Sequence, residues 1–550
     1  MNKRYYITTP IYYPSSRLTI GNAYTTVISD VLARWHRMLG EEVIFLTGTD
    51  EHGQKIQRTA EKLGVPVIKY LDYRIEKNVK ALWELFNISY DRFIRTTDEA
   101  HVESVQAIFK QLYDQGDIYL GEYKGLYCTP CEAFWSESQL EDGMCPDCHR
   151  PVEETQESCY FLKLSKYQDQ LIQYYEEHPE FIQPQSRMNE MLNNFIKPGL
   201  SDLAVSRTSF DWGIKVPFDE KHVIYVWVDA LSNYITALGY PKMDGDYAKF
   251  WPANLHLVGK DIIRFHTIIW PIILLSLGLP LPKQVFGHGW LLSKTGDKMS
   301  KSKGNAMDPF VLSNIFGVDA IRYFLLREIQ FGSDGNFSGE ALVQRVNSDL
   351  ANDLGNLLSR SVSMLVKYFP EGLPEERESA ALDQEILDQA SKSFEEASQA
   401  LDKLDISDAL EAIWVFIRRL NKYIDESEPW VLAKDESKKA RLAEVMYQLL
   451  DGLRRVAIMI APFMPETSEE MEVQLGIKRE KRAKDCSSLA WEDAAKAANY
   501  PTNMPLEKGA ALFPRLDLEE TLERITQDAA EAEARYEAQE KADFEAMREA

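Results

Sequence analysis

Residues 5–9 (YYITT) form a short run rich in β-branched and aromatic side chains, closed by Pro10, and predict a strand. Over residues 23–39 the spacing changes. Val27, Val31, Trp35 and Leu39 recur at every fourth position, so they share one helical face, and Gly40 ends the helix. Residues 43–46 (VIFL) supply a second apolar run, so residues 5–50 read as one βαβ crossover of a parallel sheet. Ligands of such sheets gather at the carboxyl ends of the strands. Two loops take that position here, residues 10–21 and residues 47–53.

From residue 118 to 217 the texture turns Cys-bearing and turn-rich, and strand-like runs return at 223–228, 255–258 and 284–292. An insertion therefore splits the α/β unit. The run 262–279 is apolar enough to suggest a membrane span, but it holds Arg264, His266 and Pro271 and predicts a core helix. Beyond Asp319 the sequence predicts long amphipathic helices to about Asp493, then an irregular stretch to Arg515. The expected fold class is α/β, a Rossmann-like doubly wound parallel sheet split by an insertion and followed by an α-helical bundle. The expected division is 1–117 and 218–297 for the two halves of the α/β domain, 118–217 for the insertion, 298–350 for a lysine-rich loop and stem, 351–515 for the bundle and 516–550 for an acidic, helix-prone tail. No internal repeat points to a solenoid.

With 550 residues, 45% hydrophobic and 27% charged, the chain exceeds one hydrophobic core and is ordinary globular protein. Its start shows no secretory pattern, which implies the cytoplasm. The net charge of −24 argues against a polyanionic partner only in bulk, because residues 516–550 alone hold 12 acidic and 4 basic side chains. Screening over about 8 Å leaves local surfaces free to bind RNA.

Cys128, Cys131, Cys145 and Cys148 form two Cys-x-x-Cys pairs 13 residues apart, the spacing of a tetrahedral zinc knuckle. Four thiolates leave no open coordination position, so one structural zinc is expected, with His149 as the alternative to Cys148. Cys159 and Cys486 read as plain thiols.

Lys298, Met299, Ser300, Lys301, Ser302, Lys303, Gly304 and Asn305 make a cationic loop suited to a migrating triphosphate, although charge alone would equally suit a solvated turn. The order Lys-Met-Ser-Lys-Ser resembles the second signature of the class I aminoacyl-tRNA synthetases. At the entry to the first helix Thr19, Ile20, Gly21 and Asn22 stand where that family usually reads His-Ile-Gly-His. Gly21 lets a phosphate approach the helix N-terminus, and Asn22 keeps a hydrogen-bond donor. Thr19 departs from the pattern, since a hydroxyl is shorter than an imidazole and carries no charge.

Three further segments are similar to the methionyl-tRNA synthetases, bacterial type with one zinc knuckle, and the resemblance spans most of the chain. They are residues 10–14 (PIYYP), 225–230 (YVWVDA) with Tyr234, and 259–270 (GKDIIRFHTIIW). The resemblance implies a methionine pocket of Ile11, Tyr13, Trp227, Ala230, Tyr234, Ile262, His266 and Trp270, with Asp50 holding the substrate ammonium. Ile262, His266 and Trp270 recur at every fourth position and are expected on one helical face, and aromatic rings suit a thioether. It also implies an ATP site of Gly21, Asn22, Gly259, Asp261, Lys298, Ser300 and Lys301, with Lys301, Lys298, Asn22 and Thr19 beside the reacting phosphates. In the helical region Asn356 and Arg360 lie one turn apart and Trp430 follows Pro429, and the resemblance makes these three the anticodon contacts. The implied partners are L-methionine, ATP with Mg²⁺, and tRNA(Met) including the initiator, with no membrane and a monomeric chain. Other readings are a tRNA-binding paralogue whose adenylation is weakened or lost through Thr19, a zinc-knuckle nucleic-acid regulator, or another class I synthetase.

Overall fold

The computed structural model describes residues 3–549 apart from 132, 136, 138, 139, 147, 295, 297–306 and 479–480, and gives the backbone alone for 123, 124, 133, 134, 155 and 157. Its centre is a parallel sheet of β1 (Arg4–Thr8), β2 (Glu42–Thr49), β3 (Arg92–Arg95), β4 (Ile182–Gln183), β5 (Leu255–Gly259) and β6 (Val285–His288), in the order β3-β2-β1-β5-β6-β4. Ile7 pairs with Phe45 on one side and with Leu255 on the other. Both faces are covered, which is why the strands read as unbroken apolar runs: Tyr6, Ile7, Phe45 and Leu257 are fully buried. The chain moves outward from β1 through β2 to β3, and later from β5 to β6 in the opposite direction. The strand order therefore reverses between β1 and β5, where a parallel sheet opens a crevice.

Helix α1 (Ile20–Met38) makes the first crossover, α2 (Glu99–Asp114) follows β3, and α3 (Val226–Thr236) packs on α2. The insertion folds as an antiparallel sheet of the strands Ala133–Trp135, Ile118–Cys128, Glu153–Leu162 and Leu203–Ala204. Two strand expectations change. The run 223–228 is split, with a strand Asp219–Ile224 ending before Tyr225, the N-cap of α3. A short apolar run fits a strand or a buried helix equally well, and burial of nearly every residue of α3 decides for the helix. The run 284–292 breaks after His288, and Leu291–Leu292 pairs instead with Gly335–Asn336. The segment 262–279 is a buried core element, and among the described residues no single helix is long and apolar enough to cross a membrane.

The C-terminal half contains α4 (Pro309–Phe316), α5 (Val318–Glu328), α6 (Asn356–Tyr368), α7 (Ala381–Asp402), α8 (Ile406–Ser427) and α9 (Lys439–Ile460). Among the described residues the bundle's last α-helix is Pro465–Gln474, because Gly476 at φ 68° turns the chain out of helical geometry, and only a 3-10 turn, Trp491–Ala494, stands at the expected end near Asp493. A buried charge cluster binds the bundle to the sheet. Asp30 Oδ2 accepts hydrogen bonds from Arg34 Nε at 2.7 Å and Arg322 Nη2 at 2.8 Å, while Oδ1 accepts from the backbone N–H and hydroxyl of Ser89. Arg322 spends its other donors on the carbonyls of Phe86, Pro462 and Phe463. Burial would raise the Asp30 carboxyl, but the two guanidiniums hold it below the ordinary value.

The acidic tail is helical as expected, as α10 (Leu518–Glu549), but it docks on the α/β unit. Phe544 is buried against Tyr70 and Tyr73, Glu540 pairs with Arg74, and Glu533 meets Arg17 at 2.5 Å. The Arg17 guanidinium also lies 4.2 Å over the Tyr536 ring. Only Thr521, Ile525, Ala532 and Phe544 are buried along α10, a stripe too thin to stand out among its charges.

Candidate active site

The crevice between β1 and β5 holds a cavity of about 260 Å³ lined by Ile11, Tyr13, Thr19, Gly21, Asn22, Gly259, Asp261 and Ile262, together with His288 and Trp290. Residues separated by some 240 positions in sequence thus face one space. Thr19 is the N-cap of α1, and Asn22 reaches back so that its Oδ1 accepts from the Thr19 N–H at 2.9 Å and from the Thr19 hydroxyl at 3.2 Å. That fixes the amide: its oxygen faces Thr19 and its NH₂ is turned away as a donor. A Cβ at Gly259 would stand 2.6 Å from Asp261 Oδ1, so a larger residue there would push that carboxylate aside. A larger cavity of about 870 Å³ lies between α10 and the α/β unit, and Thr19 lines both.

Beside the crevice, Tyr234 gathers the aromatic residues. Its hydroxyl donates to His266 Nε2 at 2.7 Å, because His266 Nδ1 donates to the Ile262 carbonyl at 3.0 Å and Nε2 is left as the acceptor. Burial pushes His266 down to about 4, so it is neutral at physiological pH. The Trp270 ring lies 5.9 Å from Tyr234, and Trp227 stacks on Phe265 with centroids 3.7 Å apart. Ile262, His266 and Trp270 do not follow regular α spacing, for a π turn (Phe265–Ile269) intervenes, yet His266 and Trp270 both reach Tyr234 and Ile262 faces the cavity. Ala230 is buried on α3. The backbone N–H of Asp50 donates to the Tyr12 carbonyl, which ties the loop after β2 to the segment bearing Tyr13. Lys298, Ser300 and Lys301 lie outside the described residues.

In the insertion the Sγ atoms of Cys128, Cys131, Cys145 and Cys148 all lie within 4.8 Å of one another. A tetrahedral zinc with Zn–S bonds of about 2.3 Å needs Sγ pairs about 3.8 Å apart, and Cys131 and Cys145 stand at 3.9 Å. The four thiols could hold zinc. His149 is not among them, since its side chain is 70% exposed and faces Glu141 at 3.7 Å. Cys159 and Cys486 are buried outside the cluster. In the bundle Asn356 opens α6, Arg360 meets Asp425 of α8 at 3.2 Å, and Trp430 is 40% exposed just beyond the end of α8.

A family profile described as "tRNA synthetases class I (M)" matches residues 5–159 and 150–362, and one described as "Anticodon-binding domain of tRNA ligase" matches 383–545. A methionine–tRNA ligase of Clostridium tetani is 58% identical over 527 residues, spanning 96% of this chain and 80% of that one. The chain belongs to the class I methionyl-tRNA synthetases. Within that family, a Clostridium perfringens methionine–tRNA ligase is also 58% identical, over 95% of this chain and 80% of its own. The structure of Mycobacterium tuberculosis methionyl-tRNA synthetase in complex with methionyl-adenylate superposes with a TM-score of 0.87 at 42% identity, over 93% of this chain and all of that one.

For a methionyl-tRNA synthetase, the cleft also carries residues that sequence reasoning missed. His288 donates from Nδ1 to the Gly289 carbonyl and accepts the Thr25 hydroxyl on Nε2, both at 2.7 Å, and burial lowers its basicity. Trp290 Nε1 donates to Asp261 Oδ1 at 3.3 Å. The signal available was Gly-His-Gly-Trp at a strand's carboxyl end.

Proposed function

We propose that this synthetase activates methionine with ATP and transfers it to the 3′-terminal adenosine of tRNA(Met), the initiator included. The methionine carboxylate attacks the α-phosphorus, the α–β phosphoanhydride bond breaks, and pyrophosphate leaves. A ribose hydroxyl of the tRNA then attacks the methionyl carbonyl carbon and AMP leaves. The observation that supports this best is the single cavity faced by the Thr19–Asn22 turn, Gly259, Asp261 and Ile262, beside the Tyr234–His266 pair.

In this reading the side chains bind and orient. Asp50 holds the ammonium. Ile11, Tyr13, Trp227, Ala230, Tyr234, Ile262, His266 and Trp270 enclose the thioether, and a neutral His266 suits an uncharged side chain. Gly21, Gly259 and Asp261 seat ATP, which arrives with Mg²⁺. Asn22, Lys298, Ser300 and Lys301 act on the phosphates. Asn356, Arg360 and Trp430 read the anticodon, with Trp430 offering a ring for base stacking. Cys128, Cys131, Cys145 and Cys148 hold one structural zinc, which cross-links the insertion. The domain boundaries are those given from the sequence, and the chain works as a cytoplasmic monomer.

The test is methionine-dependent ATP–pyrophosphate exchange, with leucine and isoleucine as controls. Exchange with methionine alone is expected, and none with any of the three overturns the reading. The Thr19 departure favours a second reading, a tRNA-binding paralogue with weakened adenylation. Tight tRNA(Met) binding without exchange would select it.

A further inference from the structure

One buried cluster lies outside every residue assigned so far and joins two walls of the methionine pocket. Asp229, on the first turn of α3, is 1% exposed. Its Oδ2 accepts from His52 Nδ1 and its Oδ1 from His101 Nε2, each at 2.7 Å. His52 belongs to the loop after β2, two residues beyond Asp50, whereas His101 lies on α2. Asp229 itself stands between Trp227 and Ala230.

A carboxylate can only accept, so the ring nitrogen facing it must carry the proton in both histidines. The second nitrogen of His101 meets the Thr236 hydroxyl at 2.7 Å, two turns along α3 from Asp229. One imidazole thus clamps both ends of α3 to α2, and the other ties the start of α3 to the loop of Asp50. That loop is held on its far side as well: Glu51 pairs with Arg95 at 2.9 Å, and Trp212 Nε1 donates to the Glu51 carbonyl at 2.7 Å. Burial would raise the Asp229 carboxyl, but the charge of His52 and hydrogen bonds from both histidines hold it below the ordinary value.

We propose that His52, Asp229 and His101 form a positioning triad that sets the distance between the ammonium-binding carboxylate of Asp50 and the side-chain pocket on α3, and so selects amino acids by chain length. The inference rests on the roles proposed above for Asp50, Trp227 and Ala230. An amino acid anchored by its ammonium at one wall must end its side chain at the other, and a rigid link between the walls penalises a chain one methylene too long. If the link loosens, the walls separate and the penalty shrinks, while the ATP end of the crevice is untouched.

The test compares His52→Asn with His52→Gln in the full chain. Asparagine places an amide donor near the position of Nδ1 and keeps the bond to Asp229, whereas glutamine is equally polar but carries its donor one bond further out. Both are measured for melting temperature, for KM and kcat in pyrophosphate exchange with methionine and with ATP, and for the kcat/KM ratio of methionine to ethionine. His52→Gln is expected to raise the methionine KM at least tenfold and lower the methionine-to-ethionine ratio at least fivefold, with kcat and the ATP KM within threefold of the parent. His52→Asn should stay within threefold on every quantity. His101→Gln, which keeps a donor near Nε2, gives an independent check and should resemble His52→Asn. Equal behaviour of the His52 variants, or a parallel loss in kcat and both KM values, overturns the triad. A parent without methionine-dependent exchange would instead fail the underlying function, so the two failures are distinguishable.

Discussion

Thr19 donates twice to one atom of Asn22, from its backbone N–H and from its hydroxyl, and both bonds end on Oδ1. The amide NH₂ is thereby aimed away from the helix cap. Asn22→Asp preserves both bonds and adds a negative charge at the N-terminus of α1, where the helix dipole favours it, so the melting temperature should hold or rise. Adenylation should fall at least a hundredfold, because a donor worth about 1.5–3 kcal/mol to a charged acceptor is replaced by a repelling carboxylate. Thermal melting and pre-steady-state adenylate formation check the pair. Retained adenylation would remove Asn22 from the phosphates.

Trp430→Ala should raise the KM for tRNA five- to a hundredfold and leave pyrophosphate exchange unchanged, since a base–aromatic stack is worth about 1–3 kcal/mol. The ring is already 40% exposed, so little packing is lost. Equal losses in both assays would make Trp430 a core residue.

Cys145→Ser should lower bound zinc from about one per chain to near zero, as read by direct metal analysis. The loss should spread to Trp135, which packs against Cys128 and Cys145 and carries the Arg264 guanidinium 4.6 Å from its ring centre. A shift in tryptophan fluorescence is therefore expected with it. An active parent carrying no zinc would eliminate the site.

Asp319 gives a pH dependence with a definite sign. Burial pushes it up to about 6, against Arg322, which pulls it down. Its unfolded value is about 3.9, so between these values the folded chain holds the extra proton and stability falls as pH rises, then levels off above 6. From pH 5 to 7 the effect should be on the order of 1 kcal/mol. Asp319→Asn keeps an oxygen for the Thr467 N–H, 2.6 Å away, and should flatten this part of the profile in urea titrations. An unchanged slope would assign the pH dependence elsewhere.

The parallel sheet and the four-thiol cluster were legible in the sequence for a physical reason. Buried strands such as residues 43–46 and an α1 face of Val27, Val31 and Trp35 leave periodic apolar marks, and the thiol spacing of a metal knuckle is local. What sequence missed depends on contacts between distant segments. Whether residues 223–228 extend or coil is settled by packing on α2, the π turn at Phe265–Ile269 has no mark in composition, and His288 gains meaning only opposite Thr25. The docking of α10 is of the same kind, since Glu533 and Glu540 look like any solvated acids until Arg17 and Arg74 stand across from them.

The buried carboxylate of Asp30 ties the catalytic domain to the bundle. Its oxygens join α1 to Arg322 of α5, and Arg322 in turn grips the carbonyls of Pro462 and Phe463 in the bundle. Opening that seam would part Arg322 from Asp30, whereas Arg34 keeps its bond because it stands one turn away on α1 itself; breaking a buried pair of this kind costs about 3–5 kcal/mol. The seam therefore resists opening. Sheet and bundle thus meet at α1, the same helix whose N-cap is Thr19 and whose first turn carries Asn22.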